Sequence, residues 1–256
     1  MLFLLVGFLF PLLQLVSSNR GIEIYNRCPF VIWPGIMGPG NPGGGGFRLE
    51  NEESRKIFVD SDWKGVIWAR TFCDNRMSCA TGSCGNREQC NGAVGRFPFT
   101  AAEFSLNEAN DQDVFSVSLV NGYNVPILIE PFGGEDCRRA GGCLTDINQS
   151  CPERLRVTHN RRGGNIRSND PREQRRLNNL DPLPPNTTVA CRSPCDALRT
   201  DRECCRGSFA TPETCFRSHV AQMFKDACPT AYSYLFDDAT ASFDCENTAE
   251  YLVQFC

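Results

Sequence analysis

Polar and apolar residues alternate through most of the first half of the chain. The segments IEIYNRC (22–28), FVIWPGI (30–36), FRLENEESRKIFV (47–59) and GVIWART (65–71) follow a period of two. They are rich in β-branched and aromatic residues and are separated by Gly, Pro and Asn, which predicts short strands joined by turns. The same pattern resumes in AAEFSLN (101–107), DVFSVSLVN (113–121) and VPILIEPF (125–132). Between them, residues 73–90 hold four cysteines among Gly, Ser and Asn, the composition of a stapled loop. The glycine run GPGNPGGGGF (38–47) has no Gly-Lys-Ser/Thr after it and reads as a flexible hairpin connection, not a phosphate loop. From Cys137 onward strands are few and Arg, Cys and Pro are frequent. Two helix starts stand out there, because Ser193-Pro194 and Thr211-Pro212 each place a capping residue before a proline. After the second, Phe216, Val220, Met223, Phe224 and Ala227 recur at helical spacing, predicting a core-facing stripe that Pro229 ends. His219 edges that stripe and His159 lies in a polar loop; neither is assigned catalysis.

The opening MLFLLVGFLFPLLQLVSSN adds a compartment to this picture. It is apolar and ends in small residues, with Val16 and Ser18 at the positions a signal peptidase reads. Residues 1–18 are expected to be a secretory signal despite the lack of an early Lys or Arg. Pro11 and Gln14 make the run too short for a good membrane span, and no later stretch is long enough. All sixteen cysteines follow this segment, which points to an oxidising compartment, a disulfide framework and a secreted, extracellular protein. Metal binding is disfavoured, since there are only two histidines and Cys73/Cys79, Cys84/Cys90 and Cys137/Cys143 each enclose five residues. No metal or cofactor is expected. Adjacent Cys204 and Cys205 have Cα atoms only ~3.8 Å apart and need different partners. The net charge of −4 argues against a general nucleic-acid binder.

The strings IWARTFC, CATGSCGNREQC, GRFPFTAAEFSLN, VSLVNGYNVPI, CLTDINQSCP, CPTAYSY and the terminal FC resemble, in the same order, the thaumatin-like protein family, also called pathogenesis-related family five. The resemblance runs through nearly all of residues 19–256 and includes sixteen cysteines. It implies a mainly β fold: a flattened β-sandwich (19–70, 102–143 and 229–256), a small disulfide loop subdomain (71–101) and a helix- and disulfide-rich subdomain (144–228). It also implies eight bridges, Cys28–Cys256, Cys73–Cys79, Cys84–Cys90, Cys137–Cys245, Cys143–Cys228, Cys151–Cys191, Cys195–Cys204 and Cys205–Cys215. Family members are host-defence proteins, and several bind β-1,3-glucans in a cleft lined in many of them by one Arg, one Glu and three Asp. Here the Arg is matched to Arg96, the Glu to Glu103 and the last Asp to Asp237, with Asp238 a near rival. The other two Asp positions fall at Ser116 and Asn121.

Glycoside hydrolysis ordinarily needs two carboxyl groups, and Glu103 with Asp237 is the candidate catalytic pair. The missing acids at Ser116 and Asn121 weaken that case, yet hydroxyl and amide groups still hydrogen-bond sugars. The expected function is therefore a monomeric defence-type protein that binds β-1,3-glucan or a related wall polysaccharide, more binder than enzyme. The alternatives are a weak endo-β-1,3-glucanase and an extracellular protein-interaction module. For Glu103, a purely structural ion pair with Arg96 is an equal alternative. Phe97 and Tyr123 are candidates to border the cleft as sugar platforms, while Trp33, Trp63 and Trp68 read as core or sheet surface. A long Arg-rich insertion (157–189) is a solvated loop or a contact for anionic cell-surface molecules. Asn148 and Asn186 begin N-glycosylation sequons.

Overall fold

The alternating segments become strands, and the alternation sorts their side chains between a shared core and the two outer faces. The computed structural model describes residues 19–108, 111–134, 137, 140–159, 184, 186–246 and 250–256. The expected signal segment and most of the Arg-rich insertion lie outside them. In chain order the strands are β1 (Arg20–Asn26), β2 (Ile32–Met37), β3 (Glu53–Val59), β4 (Lys64–Cys73), β5 (Cys79–Thr81), β6 (Ala101–Glu108), β7 (Gln112–Ser118), β8 (Ile127–Phe132), β9 (Ala140–Cys143), β10 (Arg156–Thr158) and β11 (Thr188–Cys191). Then come helix α1 (Pro194–Leu198), helix α2 (His219–Ala227), β12 (Ala231–Tyr232), helix α3 (Asp238–Ala241), β13 (Phe243–Glu246) and β14 (Glu250–Phe255).

One sheet runs β3-β1-β14-β8-β9 and the other β12-β7-β6-β4-β2, with β13 added beside β7 and β5 beside β4; β10 and β11 pair separately. Ile22, Ile24, Ile127, Ile129, Tyr251 and Val253 from the first sheet meet Ile67, Ala102, Phe104, Leu106, Phe115 and Val117 from the second in one buried core. The first and last strands lie side by side inside the first sheet, where β1 runs parallel to β14 and pairs Ile22 with Tyr251. Eight disulfides join Cys28–Cys256, Cys73–Cys79, Cys84–Cys90, Cys137–Cys245, Cys143–Cys228, Cys151–Cys191, Cys195–Cys204 and Cys205–Cys215, the pairs the resemblance implies. All three tryptophans are buried.

The glycine run is not a flexible link. Pro42–Gly45 make a turn whose Pro42 and Gly45 are buried. A Cβ on Gly46 would stand 2.6 Å from the Pro34 carbonyl oxygen and 2.7 Å from Arg70 Nη2, so close packing excludes a side chain there. Arg70, fully buried, explains the tightness. Its guanidinium donates to the carbonyls of Trp33 (3.0 Å), Pro34 (3.2 Å), Arg87 (2.9 Å) and Glu88 (2.5 Å), tying the stapled loop to the sheet. Burial pushes its pKa down to about 10.

Helix α1 starts as expected, with Ser193 Oγ accepting from the Asp196 amide at 3.1 Å. The second helix starts late. Residues 211–215 close a separate turn, with the Cys215 amide donating to the Thr211 carbonyl at 2.8 Å beside the Cys205–Cys215 bridge. Ser218, not Thr211, caps α2, its Oγ accepting from the Ala221 amide at 3.2 Å. Val220 and Phe224 are in the core, but Phe216 falls before the helix and is 69 % exposed. No described helix is long and apolar enough to cross a membrane.

Candidate functional site

The register of the second sheet sets out one face. Glu103 on β6 pairs with Ser116 on β7, Ala101 pairs with Ser118, and Ser118 pairs with Tyr232 on the parallel strand β12. Since Ala102, Phe104, Phe115 and Val117 point into the core, Glu103, Ser116, Ser118 and Tyr232 share the opposite face. Glu103 is half-buried there. Burial raises its pKa, and the Ser118 hydroxyl offsets this only in part. The residue opposite Glu103 on β4 is Val66, so no cation faces it across that strand pair. Arg96 is exposed, and its backbone amide donates to the Ser83 carbonyl at 2.8 Å. Among the described residues no ion pair joins Arg96 to Glu103, because Arg96 lies in the loop before β6 and turns to solvent. The structure thus departs from the reading that joined them in a structural ion pair.

Asp237 also departs from its expected role. It is only 4 % exposed. Its Oδ1 lies 2.5 Å from Arg217 Nη2, and its Oδ2 lies 3.1 Å from Lys225 Nζ and accepts from the Ser233 amide (3.0 Å) and hydroxyl (2.8 Å). Burial opposes its ionisation, but the hydrogen bonds from Ser233 and the Lys225 ammonium outweigh it and hold the pKa below the usual value. A carboxylate with both oxygens committed in this way holds α2 against the chain after β12. With both oxygens engaged it has no free oxygen to serve as the second carboxyl group of a catalytic pair. Its neighbour Asp238 is exposed and accepts from the Tyr232 hydroxyl at 2.7 Å, so Asp238 is the acid tied to the Glu103 face.

Beyond Ser118 the chain leaves the sheet and reaches a cavity of about 340 Å³ between the end of the sandwich and the cysteine-rich segment. Asn121 lines it from the sandwich side with Phe97, while Ser193, Ser218, Ser233 and Tyr234 line it from the other. Two residues lie between Ser118 and Asn121, which sits in the turn closed by the Gly122 amide on the Leu119 carbonyl (2.8 Å), so the cavity adjoins the Glu103 face at the ends of β7 and β12. Gly122 makes the bend: its φ is +98°, and a Cβ there would stand 2.4 Å from Pro98. Tyr123, just past the bend, is not a cleft platform. Its amide and carbonyl both pair with Cys191 (2.9 and 2.8 Å), and its ring is 0 % exposed in the core. Phe97, 41 % exposed, does border the cavity. Phe216 and Tyr234 border it too and were not anticipated; the alternation in AYSY, with Ala231 and Ser233 buried, was the available signal for Tyr234.

The two sequons differ. Asn148 Nδ2, the atom a glycan would occupy, donates to the Asn124 carbonyl at 2.9 Å. Asn186 is exposed, with a φ of +66°. Among the described residues no cluster of His, Cys, Asp and Glu is arranged to hold a metal ion.

A two-sheet sandwich pinned by eight disulfides, with a cavity against a cysteine-rich segment, is the build of an extracellular β protein. The Thaumatin family's sequence profile matches residues 26–256, and the chain belongs to that family. It is 41 % identical to pathogenesis-related thaumatin-like protein 3.5 of Cryptomeria japonica, over 94 % of this chain and 92 % of the relative. It is 40 % identical to pathogenesis-related protein 5 of Arabidopsis thaliana, over 96 % of each. The fold is shared with a laminaripentaose-producing β-1,3-glucanase in complex with laminaritetraose, at 10 % identity and a TM-score of 0.50 over 93 % of this chain and 99 % of the other.

Proposed function

We propose that this is a secreted defence protein that binds β-1,3-glucan or a related wall polysaccharide along the Glu103 face and the adjoining cavity, and that Glu103 and Asp237 do not form a hydrolytic pair. The observation that carries this reading is the cavity itself. An exposed phenyl ring at Phe97 and a half-buried phenol at Tyr234, which carries the Arg217 guanidinium over its ring at 5.4 Å, offer apolar surface to a pyranose, and the half-buried Asn121 and Ser218 supply amide and hydroxyl partners for its hydroxyl groups. The commitment of Asp237 to Lys225, Arg217 and Ser233 is the second support, since it withdraws one of the two carboxyl groups that cleavage would need.

Incubation with insoluble β-1,3-glucan tests the reading: the protein should sediment with the polysaccharide, and Asn121→Ala combined with Phe97→Ala should return most of it to the supernatant. Wild-type protein found wholly in the supernatant overturns it. Hydrolysis keeps one foothold, the half-buried Glu103 carboxyl on the same face as Tyr232, whose hydroxyl donates to the exposed Asp238. Release of reducing ends that Glu103→Gln abolishes would favour that second reading; the expected result is no release.

A further inference from the structure

Opposite Asn121 and Phe97, the cavity wall is built from the segment between α1 and α2, and it carries three arginines, Arg199, Arg202 and Arg206. Two carboxylates, Asp196 and Glu203, share that wall. Asp196 already has a cation, Arg192 Nε at 3.8 Å, whereas among the described residues no ion pair joins Arg199, Arg202 or Arg206 to a carboxylate. All three arginines are exposed while Asp196 and Glu203 are half-buried, so the guanidinium groups are the more accessible charges. The segment is held by the Cys195–Cys204 and Cys205–Cys215 bridges, which enclose or abut each of the three. Groups held on a cross-linked loop lose less freedom on binding than groups on a free one.

Resting on the glycan-binding reading above, we propose that the cavity selects a carboxylated polysaccharide, a chain of uronic-acid residues, over a neutral one: the sugar ring lies against Phe97 and Tyr234, and its carboxylate meets the Arg199, Arg202 and Arg206 wall. A planar guanidinium matches a carboxylate with two parallel hydrogen bonds. Neutral glucan hydroxyls make no such use of the charge. The two acids in the wall argue for a chain with one charge per sugar over a densely sulfated one, because they repel high local negative charge and leave a net charge of +1 among the five groups (three Arg, less Asp196 and Glu203).

The test uses the full mature protein and four soluble probes: an oligomer of galacturonic acid, the same oligomer with its carboxyl groups reduced to alcohols, a neutral β-1,3-glucan oligomer and a sulfated oligosaccharide. Titration calorimetry at low and high salt should give about tenfold tighter binding to the galacturonate oligomer than to its reduced form, the scale of one charge-assisted interaction, and salt should shrink the difference. Arg202→Ala with Arg206→Ala should remove the preference and leave neutral-glucan affinity within about twofold. The matched pair Arg202→Lys and Arg206→Lys keeps the charge and should retain part of the preference. Equal affinity for the acidic and reduced oligomers, with neutral glucan still bound, overturns this inference alone. Tightest binding to the sulfated probe overturns the choice of carboxylate. Failure to bind any of the four overturns the glycan-binding reading with it.

Discussion

Glu103 and Asp237, the two acids expected to work together, are pushed in opposite directions by their surroundings. For Glu103 burial is the larger influence, and its pKa rises above the usual 4.5. In that state the folded protein holds a proton that the unfolded chain has released. Its contribution to stability therefore falls as pH rises from about 4.5 through the raised value. Asp237 lies below its usual 3.8, so its stabilisation is present above 3.8 and is lost as pH falls through the depressed value. Two expected outcomes follow for denaturant unfolding followed across pH with the disulfides intact. Glu103→Gln should flatten the decline above pH ~4.5 and leave neutral-pH stability equal or higher; an unchanged slope would refute the burial argument. Asp237→Asn should cost about 3 kcal/mol at neutral pH, because Lys225 and the Arg217 guanidinium lose their carboxylate in a buried setting. A loss below about 0.5 kcal/mol would mean the ion cluster contributes nothing beyond packing.

At the scale of elements, capping decides where α2 begins. Ser218→Ala should lower stability by about 1 kcal/mol, whereas Thr211→Ala should change it by less than about 0.5 kcal/mol; thermal unfolding of the two variants separates the two starts. The reverse order would place the cap at Thr211. Both Thr211-Pro212 and Ser218 are acceptable caps in isolation, so local sequence does not choose between them. The Cys205–Cys215 bridge does, by closing residues 211–215 into their own turn. Strands were more legible, because a period of two survives whatever packs on top of it. That period puts Glu103 and Ser116 on one face without further information, and it places Trp33 and Trp68 in the sheets, while Trp63 is buried from the turn just before β4. Carried on to Tyr123 it gives the core side, as observed, but it fails at Asn121, which shares that parity and is turned to the cavity by the Leu119–Gly122 turn. It also says nothing of Asp237, whose partner Arg217 lies 20 residues away and is brought in by α2. The pairing of sixteen cysteines was open to spacing alone and came from the family resemblance. The arginine wall carried no periodic signal, since Arg199, Arg202 and Arg206 become neighbours of Asn121 only when the cysteine-rich segment folds against the sandwich end.

For the whole molecule, the disulfides divide between those that hold the sandwich and those that shape the cavity. Cys28–Cys256 links positions 228 residues apart, next to the parallel pair β1 and β14 at the middle of one sheet. Cys195–Cys204 links positions only 9 apart and holds the segment that bears Arg199 and Arg202. Chain-entropy cost grows with the logarithm of loop length, so removing the long link is expected to destabilise by about 5 kcal/mol and the short one by about 3 kcal/mol. Their effects on binding should run the other way. In Cys28→Ser with Cys256→Ser, molecules that remain folded keep the cavity wall, and affinity for glycan per folded molecule should be unchanged. In Cys195→Ser with Cys204→Ser the wall loosens, and affinity should fall by about tenfold as the arginines must be ordered on binding. Unfolding midpoints and calorimetric titration on the same two proteins measure both quantities. Parallel losses of stability and affinity in the two variants would show that the short bridge has no special part in shaping the cavity.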